Sequence, residues 1–141
     1  MKISFKHTIP IPLENHNLKM SDVWNKDITI KSGTNYLIRS ESGKGKSTLV
    51  SYCYGLRNDF IGEVLINDIP SNKITRNEWS EYRKDKLSII PQDLLLFPEL
   101  TSLENLIIKN NLTNHKSNNE ILDMLELFNM LKYKDQKTAT L

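Results

Sequence analysis

Residues 40–48 read Ser-Glu-Ser-Gly-Lys-Gly-Lys-Ser-Thr, between the apolar run Tyr36-Leu37-Ile38 and the helix-like run from Leu49 to Tyr54. A strand, a glycine-bearing loop and a helix in that order serve a recognisable purpose. Small residues let consecutive backbone N–H groups turn inward, and the following helix adds the positive end of its dipole at the same point. Gly43 and Gly45 provide the freedom. Gly45-Lys46-Ser47 closes the pattern of glycine, four residues, glycine-lysine, then serine or threonine. A loop of this kind cradles phosphate: Lys46 reaches the outer phosphates and the Ser47 hydroxyl supplies a ligand to Mg²⁺. Ser40 stands where the pattern has its first glycine. Were that position at positive φ, a serine would carry a modest strain. Lys44 adds a cation inside the loop. The bland alternative is a surface turn, and the order of the flanking elements argues against it.

The 141 residues fit one domain of ordinary size, and their 38% hydrophobic and 26% charged content excludes wholesale disorder. Nineteen Lys and Arg against seventeen Asp and Glu leave a net charge of +2, too balanced for a nucleic-acid-binding domain. The single Cys53 excludes an internal disulfide and a Cys-rich zinc site, and it fits a reducing compartment. On the helix after the loop, a buried and inert thiol is expected there. The histidines and acidic residues show no metal-ligand spacing, and no Ser/His/Asp set is visible. No run of about 18 apolar residues exists, and the first residues lack the apolar core of a signal peptide. A soluble, cytoplasmic chain is the expectation.

Periodicity and turn chemistry place the elements. Ile3 and Phe5 begin a strand that Pro10 and Pro12 should keep short or at a sheet edge. Residues 24–30, 36–38 and 87–90 read as further strands, as does the stretch from Gly62 into the turn at Asn67-Asp68. Gly55 sits where the helix after the loop should be capped. Residues 78–84 read as a short polar helix and residues 102–110 as another. The clearest helix is 117–132, opened by the capping box Ser117/Glu120 with Ile121, Leu122, Leu125, Phe128 and Leu131 at helical spacing.

Together these stretches resemble the nucleotide-binding subunit of an ABC transporter. Ile28-Thr29-Ile30-Lys31-Ser32-Gly33 with Tyr36-Leu37-Ile38 resembles the family's strand, turn and strand. Ser42-Gly43-Lys44-Gly45-Lys46-Ser47-Thr48-Leu49 is similar to its Walker A loop, and Gly62-Glu63-Val64-Leu65-Ile66-Asn67 to its Gly-x-Val-x-Ile-Asn/Asp-Gly stretch, with Asp68 in place of the last glycine. Leu87-Ser88-Ile89-Ile90-Pro91-Gln92-Asp93, followed by Leu96-Phe97-Pro98-Glu99-Leu100-Thr101-Ser102-Leu103-Glu104-Asn105, resembles its Q-loop segment. The resemblance covers nearly the whole chain.

It implies an α/β fold: a P-loop NTPase core with an antiparallel β subdomain over residues 1–90, then the Q-loop and the start of a helical subdomain over 91–141. It also implies an ATP site formed by Ser42, Gly43, Lys44, Gly45, Lys46, Ser47 and Thr48, with Mg²⁺ held by Ser47 and Gln92. The family stacks adenine on an aromatic ring near the N-terminus. His7 sits nearest that place, with Phe5 and Trp24 as further candidates. Residues 94–98 suit a surface that meets a membrane permease or serve equally as core. The implied partners are ATP, that permease and a second nucleotide-binding domain, at the inner face of the cell membrane. No nucleic acid is implied.

The family's Ser-Gly-Gly-Gln signature, Asp-Glu-ended strand and switch histidine do not occur in these 141 residues. A segment such as Lys137-Thr138-Ala139-Thr140-Leu141 precedes the signature in family members. The expectation is therefore the first part of a nucleotide-binding domain, incomplete and incompetent for hydrolysis alone. A non-catalytic nucleotide-binding or interaction module, or half of a split domain, is the alternative. A small nucleotide kinase ranks last, because Arg57, Arg76 and Arg83 are too scattered for a lid.

Overall fold

The nine residues Lys2–Pro10 form β1, and Ile28–Lys31 (β2) and Phe60–Ile66 (β3) pair antiparallel on either side of it. Ile69–Pro70 (β4) pairs with β3, so the sheet order is β2-β1-β3-β4. This computed structural model describes residues 1–93 and 95–141. The chain divides into two units, Met1–Ser88 and Ile89–Leu141. Among the described residues the α-helices are Lys46–Cys53 (α1), Arg76–Asp85 (α2), Ser102–Asn110 (α3) and Asn118–Leu127 (α4).

The expected short or edge strand at the N-terminus is instead central. Pro10 is the last residue of β1 and Pro12 lies in a 3₁₀ turn beyond it, so neither removes a donor from the ladder. A bulge between Lys6 and Ile9 shifts the register. Side chains alternate along a strand, so one extra residue moves the buried set from Ile3 and Phe5 to Thr8 and Pro10. His7 takes φ +46° at that bulge. Opposite it, a Cβ on Gly62 would fall 2.4 Å from the His7 carbonyl oxygen, so only glycine fits.

The sheet and α1 enclose a core of Ile3, Phe5, Trp24, Leu49, Tyr52, Val64 and Ile66. Full burial of each such side chain contributes about 1.5–3 kcal/mol. Its aromatic rings meet edge to face: Phe5 with Trp24 at 6.3 Å, Trp24 with Tyr52 at 6.2 Å, and Tyr52 with Phe60 at 5.1 Å. The Tyr52 hydroxyl donates to the Asp59 carbonyl at 2.8 Å. Burial, with the Asp59 charge nearby, pushes its pKa up to about 12. Burial likewise pushes the Cys53 thiol up to about 12.

Helix α1 ends as expected at Gly55. Its N–H donates to the Tyr52 carbonyl while Leu56 donates to that of Ser51. The strand expected over 24–30 is confined to Ile28–Lys31. Ser21 Oγ accepts from the backbone N–H of Trp24 at 2.8 Å, and this turn sends the indole into the core rather than along a sheet. Residues 36–38 and 87–90 are not strands. Extended backbone counts as a strand only beside a partner, and among the described residues none runs alongside either stretch. Leu37 and Ile90 are accordingly 75% and 90% exposed.

In the second unit, α4 stops at Leu127 although the apolar periodicity continues to Leu131. Asn129 turns left-handed at φ +57°. It donates to Glu126, and Met130 donates to Leu125 at 2.7 Å, a double bond pattern that ends helices. The terminal stretch folds back onto the start of α3. Ser102 donates to the Gln136 carbonyl and Thr138 to that of Leu100.

Candidate phosphate-binding site

The loop between residue 39 and α1 has Gly43 at φ +75° and Gly45 at φ +87°. Ser40 is not at positive φ, so the strain that a serine there would bear does not arise. Gly45 caps α1 with its backbone and offers no side chain to the helix N-terminus. Leu49 donates to the Gly45 carbonyl at 2.9 Å, and helical bonding begins there. Among the described residues, the backbone N–H groups of residues 41–48 find no acceptor within the chain. Such a run of unpaired donors at a helix start fits an anion.

Lys46 bends back over this array. Its Nζ donates to the carbonyls of Ser40 and Glu41, each at 2.7 Å, and lies 3.4 Å from Ser40 Oγ. The ammonium is thus held at the mouth of the loop by neutral oxygens, and among the described residues no carboxylate pairs with it. The Ser47 and Thr48 side chains stand on the first turn of α1, where a hydroxyl can face the same ion.

Trp24 meets the loop from beneath. Its Nε1 donates to the Lys44 carbonyl at 3.0 Å, a contact between residues twenty apart that no spacing rule would find. A Cβ at position 45 would lie 3.0 Å from that nitrogen and from Leu13, so the backbone approach at Gly45 needs glycine twice over, for space and for φ. A cavity of about 460 Å³, within the usual range for a small-molecule site, lies between the loop and the stretch from Leu13 to Trp24. Lys44, Gly45 and Lys46 line it on one side, and His16, Leu18 and Met20 on the other.

The sequence-predicted residues 42–48 therefore lie together on one loop and helix start. His7 lies elsewhere, exposed at the β1 bulge with Nε2 3.6 Å from Asp27, and does not line that cavity. Phe5 is fully buried and Trp24 nearly so, so neither presents a ring face. Gln92 belongs to the second unit, exposed in a bend after Pro91. Of the apolar segment 94–98, Leu94 lies outside the described residues, while Leu95, Leu96 and Phe97 are exposed. Asn105 holds that segment's end: its Oδ1 accepts from Phe97 N–H at 2.8 Å and its Nδ2 donates to the Phe97 carbonyl at 3.1 Å. No cluster of His, Cys, Asp or Glu suited to a metal occurs among the described residues. Mg²⁺ there would depend on hydroxyl and amide oxygens and on phosphate itself.

The model of one family, described as ABC transporter, matches residues 23–141, which is most of the chain. The chain belongs to the ABC transporter family. An uncharacterized ABC transporter ATP-binding protein, MJ0796 of Methanocaldococcus jannaschii, is 37% identical over 81 residues, 57% of this chain and 34% of that protein. The D-allose import ATP-binding protein AlsA of Escherichia coli is 33% identical over 101 residues, 72% of this chain and 19% of AlsA. Two dimeric structures of the MJ0796 cassette, one bound to ADP and Pi, match with TM-scores of 0.67 and 0.63. They are 22% and 24% identical over 99% of this chain and 62% of that chain. The fold is therefore that of an ABC cassette. The chain spans 62% of the solved cassette, and its aligned segments cover 34% and 19% of these two curated relatives.

Proposed function

We propose that this ABC-family chain binds ATP–Mg²⁺ through residues 42–48 and belongs to the subunit that powers a membrane permease from the cytoplasmic side. The observation that carries this reading is the run of unpaired N–H groups at 41–48 with the uncompensated Lys46 ammonium above it. Each loop N–H would take a phosphate oxygen, and charge-assisted bonds of that kind are about twice as strong as neutral ones. Lys46 would leave the Ser40 and Glu41 carbonyls for the outer phosphates. Ser47 and Gln92 would hold Mg²⁺, which supplies charge neutralisation at the phosphates when bound. Dimerisation with a second nucleotide-binding domain and coupling to a permease follow from the family; AlsA, by its name, serves import.

The 141 residues contain no Ser-Gly-Gly-Gln signature and no Asp-Glu-ended strand, and ATP binding without turnover is the behaviour expected of them. Calorimetry should show ATP and ADP binding by the wild-type chain and its loss in Lys46→Ala, with no phosphate release from either. Lys46-dependent phosphate release would overturn the hydrolysis-incompetent reading. Absence of wild-type binding would overturn the site itself.

A second reading, a module that pairs with a separately encoded chain, is supported by the exposure of Leu37 and Ile90 in strand-like stretches. Co-purification with a chain that begins at the family signature would favour it. Recovery of the protein alone from cells that make both chains would count against it.

A further inference from the structure

We infer that Trp24 is a positioning residue for phosphate: its indole N–H sets the Lys44–Gly45 peptide so that the Gly45 N–H faces the anion. The inference rests on the phosphate-binding reading of the loop. The indole is 4% exposed and is fixed from several sides. Ser21 Oγ accepts from the backbone N–H groups of Val23 and Trp24, at 3.2 and 2.8 Å, and Asn25 N–H donates to the Thr8 carbonyl at 2.9 Å. Phe5 and Tyr52 flank the ring edge to face. From that rigid seat Nε1 donates to the Lys44 carbonyl at 3.0 Å.

All peptide bonds of the described residues are trans. In a trans peptide the carbonyl and the following N–H point in opposite directions. A Lys44 carbonyl turned down to the indole therefore turns the Gly45 N–H up, away from Trp24. Among the described residues that N–H has no acceptor. A glycine flanks this peptide, so without the indole bond the peptide plane can rotate at little cost and withdraw one donor from the anion. The bond thus preorganises a loop whose own residues are too small to hold it.

Trp24→Phe keeps an aromatic ring in the core and deletes the donor together with part of the indole. Calorimetry with ADP and with inorganic pyrophosphate should show about tenfold weaker binding of both, measured where the variant is fully folded, as expected for one lost charge-assisted bond. Equal losses for the two probes assign the effect to phosphate rather than to the base. A merely structural role would lower the melting temperature and leave pyrophosphate affinity unchanged, and that result overturns the inference while the phosphate-binding reading stands. Failure of the wild-type chain to bind either probe overturns both.

If Trp24→Phe does not fold, the ¹⁵N-labelled wild-type chain decides the matter. Of its two indole N–H resonances, one should exchange slowly and shift on addition of pyrophosphate, and the shift should vanish in Lys46→Ala. Two indole resonances indifferent to pyrophosphate, in a chain that binds it, would overturn the inference.

Discussion

At the scale of single residues, function and stability draw on different groups. Lys46 and the N–H groups around it are exposed and cheap to leave uncovered, because water satisfies them until an anion arrives. Trp24, Tyr52 and Cys53 lie behind them, and burial keeps the Tyr52 phenol and the Cys53 thiol neutral. Cys53 gives a direct measure of how closed that packing is. Burial pushes its thiol up to about 12, so at neutral pH almost none of it is thiolate. Reaction with a disulfide reagent at pH 8 should accordingly be slow in the native chain and fast in urea. Equal rates in both would mean that the helix behind the loop is open. The loop residues were legible in the sequence because their chemistry is local. The role of His7 was not, because where it faces depends on the β1 bulge, and that bulge depends on β3 and Gly62.

At the scale of elements, three helices begin with the same device. Thr75/Glu78, Thr101/Glu104 and Ser117/Glu120 each form a reciprocal capping box, whereas α1 begins on Gly45 with no side-chain cap. The uncapped helix is the one that starts at the phosphate loop, where a capping side chain would compete with the anion for the same N–H groups. Removing the Ser117 oxygen in Ser117→Ala should cost about 1 kcal/mol in urea unfolding. The boxes also set an acid limit. Glu120 is held below its ordinary 4.5, chiefly by the backbone N–H of Ser117, and Glu104 likewise by that of Thr101. A depressed carboxylate stabilises the fold fully above pH 4.5 and loses that contribution as pH falls below it, through the lower folded value. The melting temperature should therefore drop below pH 4.5, and drop less steeply in Glu120→Gln, which keeps the reach-back bond without the charge. An identical slope in both would remove the box from the account. All three boxes place their partners three residues apart, and Ser117/Glu120 is plain in the sequence because a long run of helically spaced apolar residues follows it. The stop at Asn129 is not plain there, because the apolar spacing runs on past it.

At the scale of the whole molecule, the chain carries the cassette fold over 99% of its length and 62% of the solved cassette's. Ligand binding should be felt across the first unit, because the loop, α1 and the sheet share one aromatic core. At a hundredfold excess of ADP over its dissociation constant, binding adds about 2.7 kcal/mol to that unit's stability. Hydrogen exchange should then slow over residues 41–53 and along β1, and not in Lys46→Ala. Slowing confined to the loop would mean that the core does not transmit the binding. The sequence by itself determined the loop, the Gly55 cap, the Ser117/Glu120 box and the family, since each depends on residue types at fixed short spacing. Tertiary structure alone decided that β1 is central, that residues 36–38 and 87–90 run without a strand partner, and that Trp24 lies under Lys44. Those depend on which distant backbone lies alongside. A hydrogen bond between residues twenty apart exists only once sheet register and core packing have brought its two ends within 3.0 Å.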